Sequence, residues 1–354
     1  MKDPLERYYR ILEGNEKALY LLLRENESDF DSESCDDDLW SLHEDEMKTF
    51  WSHVSDGSGT VGTKPIEGRS LLDLKAELAR RMMRRCEICE WKCSVDRTAG
   101  QEGRCGVLDA RISSEFLHYG EEPQLIPSYT IFFSGCNFKC AFCQNYDIST
   151  DPGNGLLVPA TRLADMIERR ASGSETSPSV QATGRVRGRA VNVNWVGGDP
   201  TPNLAYILDV LRISSADIPQ IWNSNMYLSE KSMRLLEGVI DIYLTDLKYG
   251  NDSCAKRLSG IPDYMRIVSR NHVLAAKHAE VIVRHLVLPN HVECCSIPAM
   301  NWLSKNTPEA LVNVMDQYRP MHRAFEHEDI SRGVRDEEYE RVRDHAESLG
   351  LRLV

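Results

Sequence analysis

From Glu115 onward, short apolar runs alternate with stretches of helical periodicity. Thr130–Phe133, Val191–Val196, Ile218–Asn225, Asp241–Asp246, Val281–Leu288 and Ala310–Met315 read as strands. Between them the spacing predicts helices over Thr161–Arg170, Asn203–Ile213, Ser229–Glu237, Asp252–Leu258, Asp263–His278 and Ser296–Lys305. Strands regularly separated by helices give βα units and a parallel sheet. Six units make an α/β fold with a partial parallel (β/α)6 barrel, short of a closed eight-fold ring. Ahead of the barrel the pattern is mostly helical. Pro4–Arg24 reads as one helix, Trp40–Trp51 as a short one and Leu71–Arg85 as another. A charged helix, Asp336–Leu349, closes the chain.

Breaks in the rhythm divide the chain. Glu25–Asp38 is acidic and Ser-interleaved and reads as a solvated, mobile linker; Ser52–Gly68 reads as a flexible connection. Ala171–Arg189 is Ser-, Gly- and Arg-rich and reads as a disordered insertion. The expected organisation is an accessory helical region at 1–80 and a cysteine-rich segment at 81–114. The barrel then occupies 115–320, and a helical tail 321–354. The basic cluster Arg80-Arg81-x2-Arg84-Arg85 reads as a solvated face, with contact to a nucleic acid or acidic partner as the alternative.

The net charge of −12 argues against a general nucleic-acid binder. No apolar run approaches a membrane span and the first residues lack the apolar core of a signal peptide, so the expected location is cytoplasmic. The cysteines change the picture most. There are eleven, an odd number, and in a reducing cytosol clustered thiols bind metal or do chemistry more often than they form disulfides.

Cys136-x3-Cys140-x2-Cys143 follows the first barrel strand. Three thiols in one loop can wrap a [4Fe–4S] cube, which normally takes four thiolates, and leave one iron open. Upstream, Cys86-x2-Cys89-x3-Cys93-x11-Cys105 supplies four thiols, a complete tetrahedral set of structural or electron-relaying type. Zinc and an auxiliary iron–sulfur cluster both suit it. Cys254, Cys294 and Cys295 read as core or surface thiols, because each lacks a third partner nearby in sequence; Cys35 reads as incidental.

Parallel βα barrels gather functional residues where strands end. The second strand runs into Gly197-Gly198-Asp199, whose glycines permit close backbone approach and whose acid could hold an ammonium group. The third delivers Asn223, Ser224 and Asn225, suited to hydroxyls. The fourth ends in Asp246 and Lys248, two apart and so on one face. The fifth carries Arg284 and His285, and the sixth leads through Asn313 to Asp316-Gln317.

Cys136-x3-Cys140-x2-Cys143, with Phe142 before the last cysteine, resembles the signature of radical S-adenosylmethionine (SAM) enzymes. Within that superfamily the chain resembles the uncharacterised proteins related to the pyruvate formate-lyase activating enzyme that carry an upstream cysteine-rich stretch. The likeness rests on Cys86–Cys105, His118-Tyr-Gly-Glu-Glu-Pro123, Ile131-Phe-Phe-Ser-Gly-Cys136, Asn192-Val-Asn-Trp-Val-Gly-Gly-Asp-Pro200, Trp222-Asn-Ser-Asn225, Asp246-Leu-Lys248-Tyr-Gly250 and Met315-Asp-Gln-Tyr-Arg-Pro320. It spans roughly residues 80–350. It implies a partial barrel of radical SAM type, a [4Fe–4S] cluster on Cys136, Cys140 and Cys143, and SAM on the fourth iron. Gly197, Gly198 and Asp199 match the motif that meets the SAM amino group, which usually ends in Glu. By the same analogy Asn223, Asn225, Lys248 and His285 border SAM.

The implied chemistry is reductive cleavage of SAM to a 5′-deoxyadenosyl radical that abstracts hydrogen from a substrate. A glycyl-radical protein is one candidate; another macromolecule or a metabolite is a second. A non-enzymatic iron–sulfur or zinc protein binding RNA or a partner through residues 80–105 is a third. The expected partner is a low-potential donor such as ferredoxin or flavodoxin, with a protein substrate where the activase reading holds.

Overall fold

The computed structural model describes residues 3–55, 68–174 and 188–354. The expected insertion and the flexible connection lie largely outside the described residues. Four helices come first, α1 (Glu6–Leu12), α2 (Leu19–Glu25), α3 (Asp36–Ser55) and α4 (Leu71–Arg84). The barrel region contains β1 (Arg111–His118), β2 (Ser128–Phe133), α5 (Tyr146–Ser149), β3 (Leu156–Leu157), α6 (Ala160–Ser172), β4 (Asn192–Gly197), α7 (Leu204–Ile213) and β5 (Gln220–Ser224). It continues through α8 (Glu230–Leu236), β6 (Ile242–Asp246), α9 (Asp252–Ser259), α10 (Tyr264–His278), β7 (Glu280–Leu286), α11 (Ile297–Asn306) and β8 (Leu311–Met315). The chain ends with α12 (Asp336–Ser348) and β9 (Arg352–Leu353).

One sheet runs β3-β1-β2-β4-β5-β6-β7-β8-β9. The expected strands β2, β4, β5, β6, β7 and β8 are all present and pair in parallel. An antiparallel strand not foreseen, β1, flanks β2. Its sequence, Arg111-Ile-Ser-Ser-Glu-Phe-Leu-His118, carries polar residues at buried positions, Ser113 and Glu115 among them, and so lacks the apolar signal of its neighbours.

Strand alternation sorts the barrel interior into layers. Ile221, Ile242, Leu244, Ile282 and Leu311 pack with Leu5, Tyr8 and Leu125 at the N-terminal end of the strands. Asn223, Asp246, Arg284 and Asn313 line a cavity at the C-terminal end. The bottom is thus dry and plugged by α1, while the top is polar and open.

Pro4–Arg24, expected as one helix, forms two. The break falls at Gly14, whose φ of 73° is left-handed and ends α1. The plug is held by more than apolar packing. Arg7 Nη1 donates to Asp241 (2.5 Å), Arg7 N and Tyr8 N donate to Glu280 (2.6 and 3.0 Å), and Asn192 Nδ2 donates to Tyr8 Oη (3.1 Å).

The acidic run is also not free. Phe30 and Ser28 are buried, and Arg81 of α4 donates to the Ser34 carbonyl and to Asp36 (2.7 and 2.8 Å). Its companion Arg80 pairs with Glu77 and Asp209. The basic cluster therefore spends two arginines on acids of the same chain, which removes them from any nucleic-acid face.

Candidate functional site

The cavity at the C-terminal end of the strands has a volume of about 660 Å³, within the usual range for small-molecule sites. Cys136, Cys140 and Cys143 all line it. Gly135, with a φ of 84°, turns the chain out of β2, and Gly135 N donates to Ile148 O (2.8 Å). The loop then pairs with the end of α9 through Lys139 N to Ser259 O (3.1 Å) and Ala141 N to Leu258 O (2.7 Å).

Each sulfur meets a protein polar group. Phe138 N donates to Cys136 Sγ (3.3 Å), Ser259 Oγ to Cys140 Sγ (2.9 Å), and Cys143 Sγ lies 3.2 Å from Ser149 Oγ. Three thiols converging on one cavity, each with a neighbour that can donate to sulfur, fit a three-thiolate iron–sulfur cluster. Burial holds the bare Cys140 thiol up at about 11, even with the opposing charge of Lys248, so loading a cluster must displace its proton.

Gly197, Gly198 and Asp199 all line the cavity, and the two glycines also serve the fold. A Cβ at Gly197 would sit 2.2 Å from the Phe133 backbone, and one at Gly198 2.2 Å from Gly135 O. These glycines let β4 close on the root of the cysteine loop, and Gly198 N and Asp199 N donate to Phe133 O and Gly135 O (2.8 and 3.1 Å). Asp199 stays on the cavity wall, but its carboxylate is already engaged by protein donors. Oδ1 accepts from Thr201 N (2.9 Å), Oδ2 from Asn225 N (2.9 Å), and Ser224 Oγ donates to the pair. These bonds lock the end of β4 to the end of β5 and fix the carboxylate on the cavity wall.

Asn223 faces the cavity with no protein partner for its amide among the described residues. Asn225 lines the cavity too, with its side chain committed: Nδ2 donates to Asn137 Oδ1 (2.7 Å) and Oδ1 accepts from Tyr227 N (3.0 Å). Lys248 Nζ donates to Asp246 Oδ2 (2.7 Å), as the spacing suggested. Burial would lower the Lys248 pKa, but the charges of Asp246 and Cys140 outweigh it and hold the ammonium above its ordinary value.

His285 is the clear correction. It alternates with Arg284, so when Arg284 points into the barrel the imidazole points outward. There Nδ1 meets Leu247 O (2.7 Å) and Nε2 meets Ser296 Oγ (2.8 Å), and the ring is buried. Burial lowers its pKa to about 4, leaving it neutral. It supports the wall from behind and is not among the residues that line the cavity.

Two acids not singled out for chemistry stand opposite. Arg284 binds Glu122 (2.7 and 2.6 Å) and also Glu121; Asn313 Nδ2 donates to Glu122 (2.9 Å) and Asn194 Nδ2 to Glu121 (3.0 Å). His118 Nδ1 meets Glu121 Oε1 at 2.9 Å. Burial would raise Glu121, yet the His118 hydrogen bond and Arg284 hold it below its ordinary range. The signal was present in His118-Tyr-Gly-Glu-Glu-Pro123, but it lies after the unrecognised strand β1.

The upstream cysteines gather beside this loop. Cys89 and Cys105 each feel the charges of Cys86 and Cys93, so the four thiols share one locality. The turn uses left-handed backbone at Lys92 and Ser94, with Cys86 N donating to Val95 O and Ser94 N to Cys86 O (2.8 and 3.0 Å). Trp91, between two of these cysteines, donates Nε1 to Asn137 O (2.9 Å), inside the Cys136 loop.

The thiols taken as isolated are not. Cys254, Cys294 and Cys295 converge with His291, their ligand atoms all within 4.8 Å of one another. A gap of some forty residues hides this grouping in the sequence, and the fold closes it.

The family model described as Radical SAM superfamily matches residues 130–303. An uncharacterized protein of Methanocaldococcus jannaschii is 43% identical over 323 residues, covering 90% of this chain and 89% of the relative. Among solved structures, a domain of pyruvate-formate lyase-activating enzyme from Bacteroides vulgatus is similar with a TM-score of 0.38 at 13% identity, covering 46% of this chain and 96% of that one. SuiB of Streptococcus suis bound to S-adenosylmethionine gives a TM-score of 0.44 at 13% identity, covering 62% of this chain and 47% of that one. Among the described residues no helix is long and apolar enough to cross a membrane.

Proposed function

Because this chain belongs to the radical SAM superfamily and is a radical SAM enzyme, we propose that the hydrogen it removes belongs to a polypeptide, a glycyl-radical protein being the first candidate. When bound, the [4Fe–4S] cluster and SAM supply the reductive cleavage that yields methionine and a 5′-deoxyadenosyl radical. The chain's own residues bind, orient and shield. Cys136, Cys140 and Cys143 would hold the cluster, with Ser259, Ser149 and Phe138 N aimed at the three sulfurs. Asn223 offers an uncommitted amide, and Lys248 keeps a positive charge beside Cys140 and Asp246. The Arg284–Glu121–Glu122 network ties the far wall together, which would help to fix the orientation of what binds there.

One observation supports a polypeptide as substrate. Gln144 and Gln317 line the cavity, and the segments they open carry exposed apolar side chains: Tyr146, Met321 and Phe325, the last 68% exposed. Tyr146 stacks on His322 with centroids 5.1 Å apart. An apolar rim beside a polar cavity suits protein docking more than a small metabolite. The test is anaerobic incubation of the reduced enzyme with SAM and a candidate glycyl-radical protein. The expected results are 5′-deoxyadenosine, a glycyl radical in electron spin resonance, and loss of both in Cys140→Ala. Cleavage of SAM unaffected by Cys140→Ala would overturn the cluster assignment. Cleavage without any radical on protein, but with turnover of a metabolite, would overturn the polypeptide.

A further inference from the structure

We propose that Cys254, His291, Cys294 and Cys295 form a closed Zn(II) site, separate from both the Cys136 loop and the Cys86–Cys105 group. The separations are those of a tetrahedron. Zinc–sulfur bonds of about 2.3 Å and zinc–nitrogen bonds of about 2.0–2.1 Å imply edges of about 3.8 Å between sulfurs and about 3.5 Å from sulfur to nitrogen. Cys254 Sγ lies 3.9 Å from Cys294 Sγ, and Cys294 Sγ lies 3.8 Å from Cys295 Sγ. His291 Nδ1 lies 3.6, 3.3 and 3.7 Å from Cys254, Cys294 and Cys295. All three cysteines are free thiols.

The surroundings match those of a metal-bound histidine. A ligating imidazole usually gives its other nitrogen to a carboxylate, which fixes ring and tautomer. Here His291 Nε2 lies 2.8 Å from Asp329 Oδ2. The sulfurs are served as thiolates need: Asn251 Nδ2 reaches Cys254 Sγ (3.4 Å) and Cys295 Sγ (3.5 Å) while holding Cys294 O (2.6 Å). His291, Cys254 and Cys295 are buried and Cys294 is exposed, which leaves an entry path. Val292–Ser296 forms a single π-helical turn; such turns recur at functional sites, and this one sets two adjacent cysteines on one centre.

Three thiolates and an imidazole favour zinc over magnesium or calcium. Binding Zn(II) releases the thiol protons and changes no oxidation state. With four protein ligands the site is closed, so its role is structural. It ties the start of α9 to the turn after β7 and, through Asp329, to the C-terminal segment. The other end of the same helix carries Ser259, the donor to Cys140, so the ion braces the helix that seats the catalytic loop.

The test is zinc, iron and sulfide per chain in anaerobically purified protein, with Cys294→Ser, His291→Asn and Asp329→Asn. Cys294→Ser and His291→Asn are expected to lose one zinc each, with iron and sulfide unchanged. Asp329→Asn keeps every ligand and leaves the core intact; it should lose zinc to a colorimetric chelator at about 10–100-fold lower competitor strength. Cys89→Ser, a control in the other group, should leave this equivalent in place. Zinc unchanged in Cys294→Ser, or one iron lost in its stead, overturns the proposal. So does a Cys254–Cys294 disulfide in the anaerobic wild type, found by thiol counting and peptide mass.

Discussion

Lys75 sits inside α4 with no exposure, where its Nζ donates to the Arg234 carbonyl (2.9 Å) and meets His43 Nε2 at 2.9 Å. Among the described residues no carboxylate hydrogen-bonds it, and the charge of Glu237 only partly offsets the burial. Burial lowers its pKa to about 7, and lowers that of His43 as well, so the pair prefers to be neutral. The sign follows from linkage. A lysine whose folded pKa lies below the unfolded value, about 10.4, binds fewer protons folded than unfolded, so stability rises with pH between the two values. The Lys75 contribution to stability should therefore climb from pH 7 to 9 by roughly 1–3 kcal/mol, read as the change in the difference between wild type and Lys75→Met. Lys75→Met should lack that contribution and be more stable than wild type at pH 6.5. Urea midpoints at several pH values check this; an unchanged slope in Lys75→Met would sink it. Residue detail of this kind was hidden in the sequence, where Lys75 is one polar letter in an amphipathic helix. The same holds for His285, whose orientation hangs on which face of β7 is the inside.

At the scale of elements, α1 is the least expected piece of barrel. Read from its sequence it belongs to an accessory region, yet Leu5 and Tyr8 share a core with Ile221, Leu244 and Ile282. Strand spacing made β2 and β4–β8 legible, because buried parallel strands are written in Val, Ile and Leu. Nothing in that signal says what fills the far end of the barrel. That is decided by tertiary contacts, Tyr8 Oη to Asn192 and the two backbone donors to Glu280. Tyr8→Ala should lower stability by about 3–4 kcal/mol, since it empties a fully buried aromatic site. Tyr8→Phe, which only removes the acceptor for Asn192, should cost about 1 kcal/mol. Urea unfolding followed by tryptophan fluorescence checks both. An α1 that merely decorates the surface would give two shifts near zero.

At the scale of the whole molecule, the cysteine loop is held from two sides by cysteine-rich structure. On one side, Trp91 donates to Asn137 O, and a Cβ on Gly135 would fall 2.3 Å from Val107 and 3.6 Å from Cys105 O. On the other, α9 joins the loop to Cys254 and its neighbours. The Cys136 and Cys86 groups could be found in the sequence because short spacing carries them; their mutual packing could not, because nothing in spacing says which loop lies on which. The packing makes dependence between the sites asymmetric. The four upstream thiols lie on one short segment with its own turns, so that segment can close on metal without the Cys136 loop. The Cys136 loop, by contrast, leans on Trp91 and Val107 for its shape. Cys89→Ser should therefore weaken the SAM-perturbed spin-resonance signal of the reduced cluster on Cys136, Cys140 and Cys143 by several-fold per chain. Cys140→Ser should leave any metal held by the four upstream thiols in place, read as retained zinc or as retained iron and sulfide. Trp91→Phe probes the link, since it removes the donor to Asn137 along with part of the indole that packs beside Arg104 and Tyr227; a smaller loss in the same direction is expected. Losses confined in each variant to the mutated site would show that the two loops fold around their metals independently, against the packing argued from Trp91 and Gly135.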